Sequence, residues 1–329
     1  MKFSEYAHKW LYGQNGYYTK LGQIGREGDF YTSVSASRMF GGCIANHLVR
    51  RIESGAMAQD ATVCEIGAHA GFLIEDIASF VYSLAPHLLT SLKFVVVEPL
   101  HAVAKAQEAR LAPLFESVAD IKFVDDISSV KGECGFVVAN ELFDAFAFEL
   151  IFDGRMAYMQ GHELIWAAAD NDVLAAAQEN GIEKGEVALG FESFAKKLFS
   201  AFDRMEFVTF DYGQEYARND FSARVYAKHQ TTPLFEAELK EHFEKSDLTC
   251  DVHFGHLNRA FESEGFRRLE YSTQMSALVN FGLADLLQKL SGLVPPQIYA
   301  QEAARAKTLI DPAFLGERFK MIRFSKGEM

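Results

Sequence analysis

The chain has 329 residues, of which 49% are hydrophobic and 23% are charged. This composition is typical of a folded globular protein with one large domain or two modest ones. The formal net charge is −13, and no basic cluster is longer than a pair such as Lys196-Lys197. Such a chain lacks the basic footprint for binding nucleic acid through phosphates. We expect an acidic surface that keeps the protein dissolved; a preference for a cationic partner is the alternative.

The cysteines and the apolar stretches predict a cytoplasmic protein. The four cysteines form no C-x-x-C pair, and Cys64 and Cys134 lie in apolar runs, as expected of core thiols in a reducing compartment. The first 18 residues lack the uninterrupted apolar stretch of a secretion signal. Polar residues interrupt the most apolar segment, 277–294, which predicts an amphipathic helix and no membrane span.

Residues 1–58 differ from the rest of the chain, because they are rich in aromatic residues and glycine. The stretch "GYYTKLGQIGREGDFYTS" (16–33) has no regular period and predicts an ordered loop, whereas residues 37–54 have helical spacing. We interpret 1–58 as a lid segment over a core at 59–329. The candidates for contacting a substrate from this lid are Tyr17, Tyr18, Asp29 and Thr32.

From residue 61 onward, strand and helix patterns alternate. The apolar, β-branched runs lack polar alternation, which favours strands buried on both faces of a parallel sheet. Such a sheet binds ligands at the carboxyl ends of its strands. The predicted strands are 62–67, 93–98, 121–124 and 135–140, and the predicted helices between them are 71–85 and 100–111.

The alternation stops after Asn140. Asp153-Gly154 lies between two strand-like runs and predicts a hairpin. Further along we predict helices at 190–204 and 254–265, core strands at 206–213 and 266–274, a final strand at 318–325, and a polar, irregular stretch at 214–250. The predicted fold is α/β: a doubly wound, mainly parallel, Rossmann-type sheet with an added antiparallel strand and insertions near 148–190 and 214–253.

The string "EIGAHAG" (65–71) is the first candidate for a functional loop. Gly67 and Gly71 allow a sharp turn from strand to helix and the close approach of a ligand. The helix that follows offers free N–H groups and the positive end of its dipole. Glu65 would orient the loop or meet a cationic group of the ligand. The alternative is a tight turn that binds nothing.

Two carboxylates past the next strands would complete a nucleoside site. Glu98 ends the second strand, where it would accept hydrogen bonds from both ribose hydroxyls; a solvated strand-end glutamate is the alternative. Asp126, after the third strand, would reach an adenine amino group or cap the following helical turn. Together, the loop and Glu98 favour a cofactor that contains adenosine.

The string "ANELFDAF" (139–146) places Asn140, Glu141 and Asp144 just past a buried strand. Three such polar groups would bind a substrate amine or guanidinium, although capping of a short helix explains part of the cluster. Asp211 holds the same position on the next core strand. The pattern His253-x-x-His256 lacks a further residue of ligand type placed to complete a metal site, so we predict no metal.

These motifs together resemble the MidA family of class I S-adenosylmethionine-dependent methyltransferases. The resemblance runs from about Trp10 to Ile322, and its marks are "LYGQNGYY", "GDFYTSVSASRMFG", "ANELFDAF", "DYG", "DLTCDVHF" and "GERFK". Mitochondrial members of the family are complex I assembly factors that methylate an arginine.

The resemblance implies S-adenosyl-L-methionine as the cofactor and a protein arginine as the acceptor. The residues that would bind the cofactor are Glu65, Gly67, His69, Gly71, Glu98, Asp126 and Asn140. The residues that would act in catalysis are Glu141, Asp144, Asn140 and Asp211.

The chain also departs from the family pattern. Ala68 and His69 stand where the family loop has proline and glycine, Val34-Ser35 stands for Pro-Glu, and Gln214 stands for a histidine. A non-catalytic member that binds partners or assists respiratory-complex assembly is therefore the rival hypothesis. A nicotinamide oxidoreductase would explain neither the N-terminal segment nor "ANELFDAF". A homodimer is one oligomeric state that the sequence leaves open.

Overall fold

A computed structural model describes residues 1–20, 32–115, 119–227 and 230–328. The chain divides into two compact units, and both are assembled from separate stretches of sequence. The core-sheet unit comprises Tyr31–Asn140, Lys196–Asp211 and Gly265–Met329. The second unit comprises Met1–Phe30, Glu141–Ala195 and Tyr212–Glu264.

Fifteen strands and twelve α-helices lie within the described residues. The strands are β1 (Thr62–Ile66), β2 (Lys93–Val97), β3 (Ile121–Val124), β4 (Gly132–Asn140), β5 (Phe148–Phe152), β6 (Arg155–Gln160), β7 (Glu163–Ala168), β8 (Lys184–Ala188), β9 (Phe202–Gln214), β10 (Arg224–Ala227), β11 (Gln230–Pro233), β12 (Asp247–Thr249), β13 (Val252–His253), β14 (Arg267–Thr273) and β15 (Phe319–Lys326). The helices are α1 (Phe3–Tyr12), α2 (Ser33–Ala36), α3 (Met39–Glu53), α4 (Phe72–Leu84), α5 (His101–Phe115), α6 (Asn171–Glu179), α7 (Phe191–Phe199), α8 (Leu239–His242), α9 (Phe254–Ser263), α10 (Gln274–Asn280), α11 (Leu283–Ser291) and α12 (Pro296–Ile310).

The core sheet has the strand order β14-β15-β9-β4-β1-β2-β3. The pairs β2–β3, β1–β2, β1–β4 and β4–β9 are parallel, and β14 pairs antiparallel with β15. Every residue of β1 is buried, as expected for an apolar strand in the middle of a parallel sheet. The predicted doubly wound, mainly parallel fold is confirmed. The chain order reverses beside β1, and in such sheets this switch point opens a ligand crevice.

The second unit contains two antiparallel sheets, with the orders β7-β6-β5-β8 and β11-β10-β12. The predicted hairpin is confirmed, because β5 and β6 pair antiparallel around Asp153 and Gly154. These two residues have φ values of 51° and 69°, as the favoured two-residue hairpin turn requires. The aromatic side chains of α1 fill the core of this unit, where Phe3 and Trp10 are fully buried.

Two predictions about elements were wrong, and one helix was not predicted. The stretch 214–250 is not irregular, since it contains β10, β11 and β12. The segment 277–294 is not one helix, because Gly282, at φ 93°, separates α10 from α11. Helix α1 was not predicted, although Phe3, Tyr6 and Trp10 have helical spacing. None of the helices in the described part of the chain is long and apolar enough to cross a membrane.

Gly213 provides a test of the pairing between β9 and β13, because a Cβ atom there would collide with the carbonyl of its partner Val252. Gly154 is the matched control, since its φ is also positive but a Cβ there meets nothing within 4 Å. We expect G154A to lower the free energy of unfolding by about 1 kcal/mol and G213A by at least about 2 kcal/mol more. Denaturant unfolding measures both, and equal losses would contradict the close packing at Gly213.

Candidate active site

The carboxyl ends of the core strands bring four predicted residues to one edge of the core-sheet unit. β1 and β2 are in register, and Asn140 at the end of β4 lies opposite Phe210 of β9. Because parallel strands in register end at the same edge, residues that follow them are neighbours. The predicted residues on this edge are Gly67, Glu98, Asn140 and Asp211. Asp211 is fully buried.

The loop after β1 has the left-handed backbone that its glycines suggested. Gly67 and Gly71 have φ values of 73° and 75°, and His69 between them has φ 45°. His69 therefore adopts a conformation that favours glycine, at a cost of about 1 kcal/mol. Histidine is among the residues that enter this region more readily than most. The substitution at position 69 has not removed the turn.

Helix α5 contacts three consecutive residues of this loop. Gln107 donates from Nε2 to the carbonyl oxygen of His69, at 2.6 Å. Arg110 donates from Nη1 to the carbonyl oxygen of Ala70, at 3.0 Å. Leu111 packs beneath Gly71 so closely that a Cβ there would lie 3.0 Å from its Cδ1 atom. The loop is held by groups that lie outside its own sequence.

Arg110 is itself fixed on both sides. Its guanidinium lies 3.9 Å from the centre of the Phe72 ring, and it forms an ion pair with Glu75 in the first turn of α4. The positive charge at this end of the loop is therefore paired within the core-sheet unit.

Glu98 is buried, with 7% of its surface exposed, so the solvated alternative does not describe it. Its Oε1 atom accepts from the backbone N–H of Leu100 at 2.9 Å, and its Oε2 atom accepts from Gln107 at 3.2 Å. A carboxylate oxygen can accept two hydrogen bonds, so one accepting position remains on each atom. Two such positions match the two hydroxyls of a ribose.

The protonation of Glu65 and His69 follows from their burial. Burial raises the pKa of Glu65 to about 8, and this carboxyl accepts from the backbone N–H of Ile74 at 2.9 Å. Burial lowers the pKa of His69 to about 4, so its imidazole is neutral at pH 7. At pH 7 the carboxyl of Glu65 and the imidazole of His69 are therefore both uncharged. Neither group repels S-adenosyl-L-methionine, which carries a cationic sulfonium and an amino group, so the loop fits this cofactor.

Asp126 and Thr32 act as caps, which is a structural role. Asp126 accepts from the backbone N–H of Ser128 at 2.8 Å and from Lys197 at 2.7 Å, and the bond from Lys197 lowers its pKa to about 2. Thr32 and Ser35 form a capping box at the start of α2, with each side chain bonded to the other residue's backbone N–H. Asp29 lies outside the described residues.

Glu141 follows Asn140 directly and has φ 51°. It is half-buried, and glutamate enters the left-handed region far less readily than glycine or asparagine. Backbone strain of this kind is concentrated at functional sites, where the surrounding structure enforces it. Glu141 is thus the residue of "ANELFDAF" with the clearest structural sign of a function.

Asp144 is anchored in the second unit by a buried network. Its Oδ2 atom accepts from the hydroxyls of Tyr212 and Thr249, the latter at 2.9 Å. Its carbonyl oxygen accepts from the backbone N–H of Cys250 at 3.4 Å. Burial raises the pKa of Asp144. These contacts fix the segment that begins at Glu141, so they suit a supporting group better than one that meets a substrate.

A second carboxyl lies close to this network. Asp247 is bonded by the hydroxyl of Tyr18, and burial, with the charge of Asp144 adding to it, raises the pKa of Asp247 to about 7. Tyr17, the neighbouring lid candidate, is fully buried in the core of the second unit.

Arg224 supplies the positive charge beside these acids. Its guanidinium lies 4.6 Å from the centre of the Tyr212 ring and donates from Nη1 to Asp251 at 2.6 Å. The residues that surround Asp144 and Arg224 were not predicted as site residues. Most of them lie in the strings "DYG" and "DLTCD", which the sequence offers only as marks of the family. Gln107 and Arg110 had no such signal.

The two histidines at 253 and 256 have structural partners. His253 accepts from the backbone N–H of His256 at 3.1 Å, and His256 pairs with Glu192 at 2.8 Å. Among residues 1–20, 32–115, 119–227 and 230–328, no group of three or more His, Cys, Asp or Glu is placed to hold a metal ion.

Comparison with known proteins adds to this geometry. Residues 43–272 match a family model described as "Putative S-adenosyl-L-methionine-dependent methyltransferase". A zebrafish (Danio rerio) protein named "Protein arginine methyltransferase NDUFAF7, mitochondrial" is 24% identical over 93% of this chain and 78% of its own length.

Two solved structures from Burkholderia thailandensis share the fold over the whole of this chain and 88% of theirs, with a TM-score of 0.82. One, at 21% identity, is described as a candidate methyl transferase bound to S-adenosyl-homocysteine. The other, at 22% identity, is described as a native, uncharacterised member of the same superfamily.

The raised pKa of Glu65 makes a prediction about stability. Between about pH 4.5 and pH 8 this carboxyl is protonated in the folded chain and ionised in the unfolded chain. Stability therefore falls as the pH rises through this window, by up to about 1.4 kcal/mol per pH unit. We expect Glu65→Gln to remove this part of the dependence, as measured by denaturant unfolding from pH 5 to pH 9. Exposed Glu133→Gln is the control, and parallel curves for E65Q and the wild type would contradict the assignment.

A second prediction concerns Asp144. Asp144→Ala removes the acceptor of two buried hydroxyls, and we expect a loss of about 2–3 kcal/mol in the free energy of unfolding. Asp144→Asn keeps an oxygen acceptor and should lose less, while exposed Asp203→Ala is the control. If D144A proved as stable as the wild type but inactive, Asp144 would be a catalytic group.

Proposed function

The chain belongs to the S-adenosyl-L-methionine-dependent methyltransferase family, and we propose that its methyl acceptor is an arginine side chain of a protein. The family model covers the larger part of the chain, and the loop of the core-sheet unit suits the cofactor. The acceptor is inferred from the residues that follow β4.

The observation that carries the proposal is the strained backbone of Glu141, at φ 51°, directly after Asn140. A carboxylate held in a fixed direction pairs with a guanidinium through two parallel hydrogen bonds. It also stabilises the positive charge that a methylated arginine keeps. A hydroxyl acceptor would use a carboxylate only to take its proton. A guanidinium would use both carboxylate oxygens and the negative charge as well.

The cofactor supplies a methyl group activated by its sulfonium charge. In the proposed reaction, the chain's own residues align the acceptor and exclude water. Glu98 would hold the ribose, and the loop from Gly67 to Gly71 would hold the rest of the nucleoside. Glu141 would orient the arginine nitrogen, take the proton that this nitrogen releases when it gains the methyl group, and pass that proton to water. An ionised carboxylate would then face the cationic product. Asn140 would bind the acceptor beside it.

The name of the zebrafish relative, a protein arginine methyltransferase, supports the same acceptor. The family resemblance further suggests a subunit of a respiratory complex as the protein that carries the arginine. A cytoplasmic location remains a prediction.

Two of the departures that motivate the rival hypothesis of a non-catalytic member, His69 and Ser35, have a structural account. His69 takes the left-handed conformation that a glycine would take. Ser35 completes a capping box with Thr32, and a glutamate at the same position of such a box does the same. A capping role would account for the family's glutamate at this position, and on this proposal its replacement by Ser35 removes no catalytic group.

The proposal predicts that the chain transfers a deuterated methyl group from S-adenosyl-methionine to an arginine. The acceptor would be a protein in an extract of cells from which this chain has been deleted, and mass spectrometry would locate the label. We expect Glu141→Gln to slow the transfer by about 100-fold or more, because the guanidinium loses its charged partner. Exposed Glu163→Gln on β7 is the matched control and should keep the wild-type rate.

Glu141→Gly separates a functional role from a structural one. Glycine relieves the left-handed strain, so this variant should be as stable as the wild type or more stable by up to about 1 kcal/mol, yet inactive. Label on lysine or glutamine alone would refute the arginine acceptor. An undiminished rate for E141Q would remove Glu141 from the reaction.

A further inference from the structure

One buried amide joins the two halves of the cofactor site in the core-sheet unit. The Nε2 atom of Gln107 lies 2.6 Å from the carbonyl oxygen of His69 and 3.2 Å from Oε2 of Glu98. An amide nitrogen has two hydrogens, so both bonds can form at once. The loop after β1 and the carboxylate after β2 are thereby connected through a single side chain.

The burial of Gln107 indicates that this connection is not incidental. Its side chain is 1% exposed, and its Oε1 atom is buried without a hydrogen-bond partner among the described residues. A buried polar atom without a partner is costly. Leucine or methionine would fill the same space without this cost, so the helix packing of α5 alone does not account for a glutamine.

Both neighbours of Nε2 are pure acceptors, which also fixes the direction of the amide. The loop carbonyl belongs to His69, the residue with a left-handed backbone, and the carboxylate belongs to Glu98, the group that matches the ribose hydroxyls. A shift of either neighbour would therefore stretch the bond to the other.

We propose that Gln107 is a positioning residue that couples the glycine loop to the ribose-binding carboxylate. It holds the His69 turn and directs the Glu98 carboxylate, so that the loop and the ribose site form one preorganised unit. This inference concerns the cofactor alone and does not depend on the identity of the methyl acceptor.

The test measures the binding of S-adenosyl-homocysteine and of its 2′,3′-dideoxy analogue by titration calorimetry. Gln107→Met keeps the shape of the side chain and removes the donor, and we expect it to weaken S-adenosyl-homocysteine about 10- to 100-fold. In the wild type the dideoxy analogue should bind about 10-fold or more weakly than the parent. In Q107M this penalty should shrink to about 3-fold or less, because Glu98 is no longer directed at the hydroxyls.

Glu108→Met, on the exposed side of the same helix, is the matched control and should bind both ligands as the wild type does. Gln107→Glu is the second variant. This variant places a second carboxylate beside Glu98 and the His69 carbonyl oxygen, which repel it. We therefore expect it to bind S-adenosyl-homocysteine more weakly than Q107M does. Thermal melting without ligand confirms that each variant is folded.

A structural role for Gln107 alone would weaken both ligands by the same factor in Q107M and would overturn the proposal. Binding of S-adenosyl-homocysteine by Q107M within about twofold of the wild type would overturn it as well. If Q107M failed to fold, Q107E would test the proposal in its place. Undiminished binding of S-adenosyl-homocysteine by Q107E would contradict the coupling.

Discussion

The contact on which the candidate cofactor site depends is the one between helix α5 and the turn after β1. That turn has three residues with positive φ, one of which carries a side chain and its strain. Hydrogen bonds and close packing from α5 offset the strain at the positions where it arises. The buried carboxyls of Glu65 and Glu98 then take their places relative to a fixed backbone, and preorganisation of this kind is what binding and catalysis require.

Much of the core-sheet unit was predictable, because its strands are apolar runs separated by helices of ordinary length. The position of β3 at 121–124 and the hairpin at Asp153-Gly154 followed directly from local composition. The failures lie mainly in the second unit. β10 and β12 are short, carry polar residues such as Arg224 and Asp247, and gain their stability from partners far along the chain. No local period distinguishes such strands from a loop.

The candidate site likewise contains residues that local sequence predicts and residues whose environment depends on distant parts of the chain. Glu98 and the loop glycines are candidates because of their positions after predicted strands, which is information local to the sequence. The environment of Asp144 was not, because its partners Tyr212 and Thr249 are 68 and 105 residues away. Their hydroxyls give this catalytic candidate the contacts of an anchor. Gln107 was missed for a related reason: nothing in its surrounding sequence distinguishes a buried amide from a solvated one on a helix.

The contacts of α5 with the loop bear on how proteins of this kind are found and engineered. When rigidity comes from a neighbouring helix, the loop itself is released from the need for a particular glycine and proline pattern. A search that scores only the loop would then pass over chains that bind the cofactor well. Conversely, a change at Gln107, nine residues beyond Glu98, would alter the preference for the ribose hydroxyls. The nucleoside does not need to contact this position.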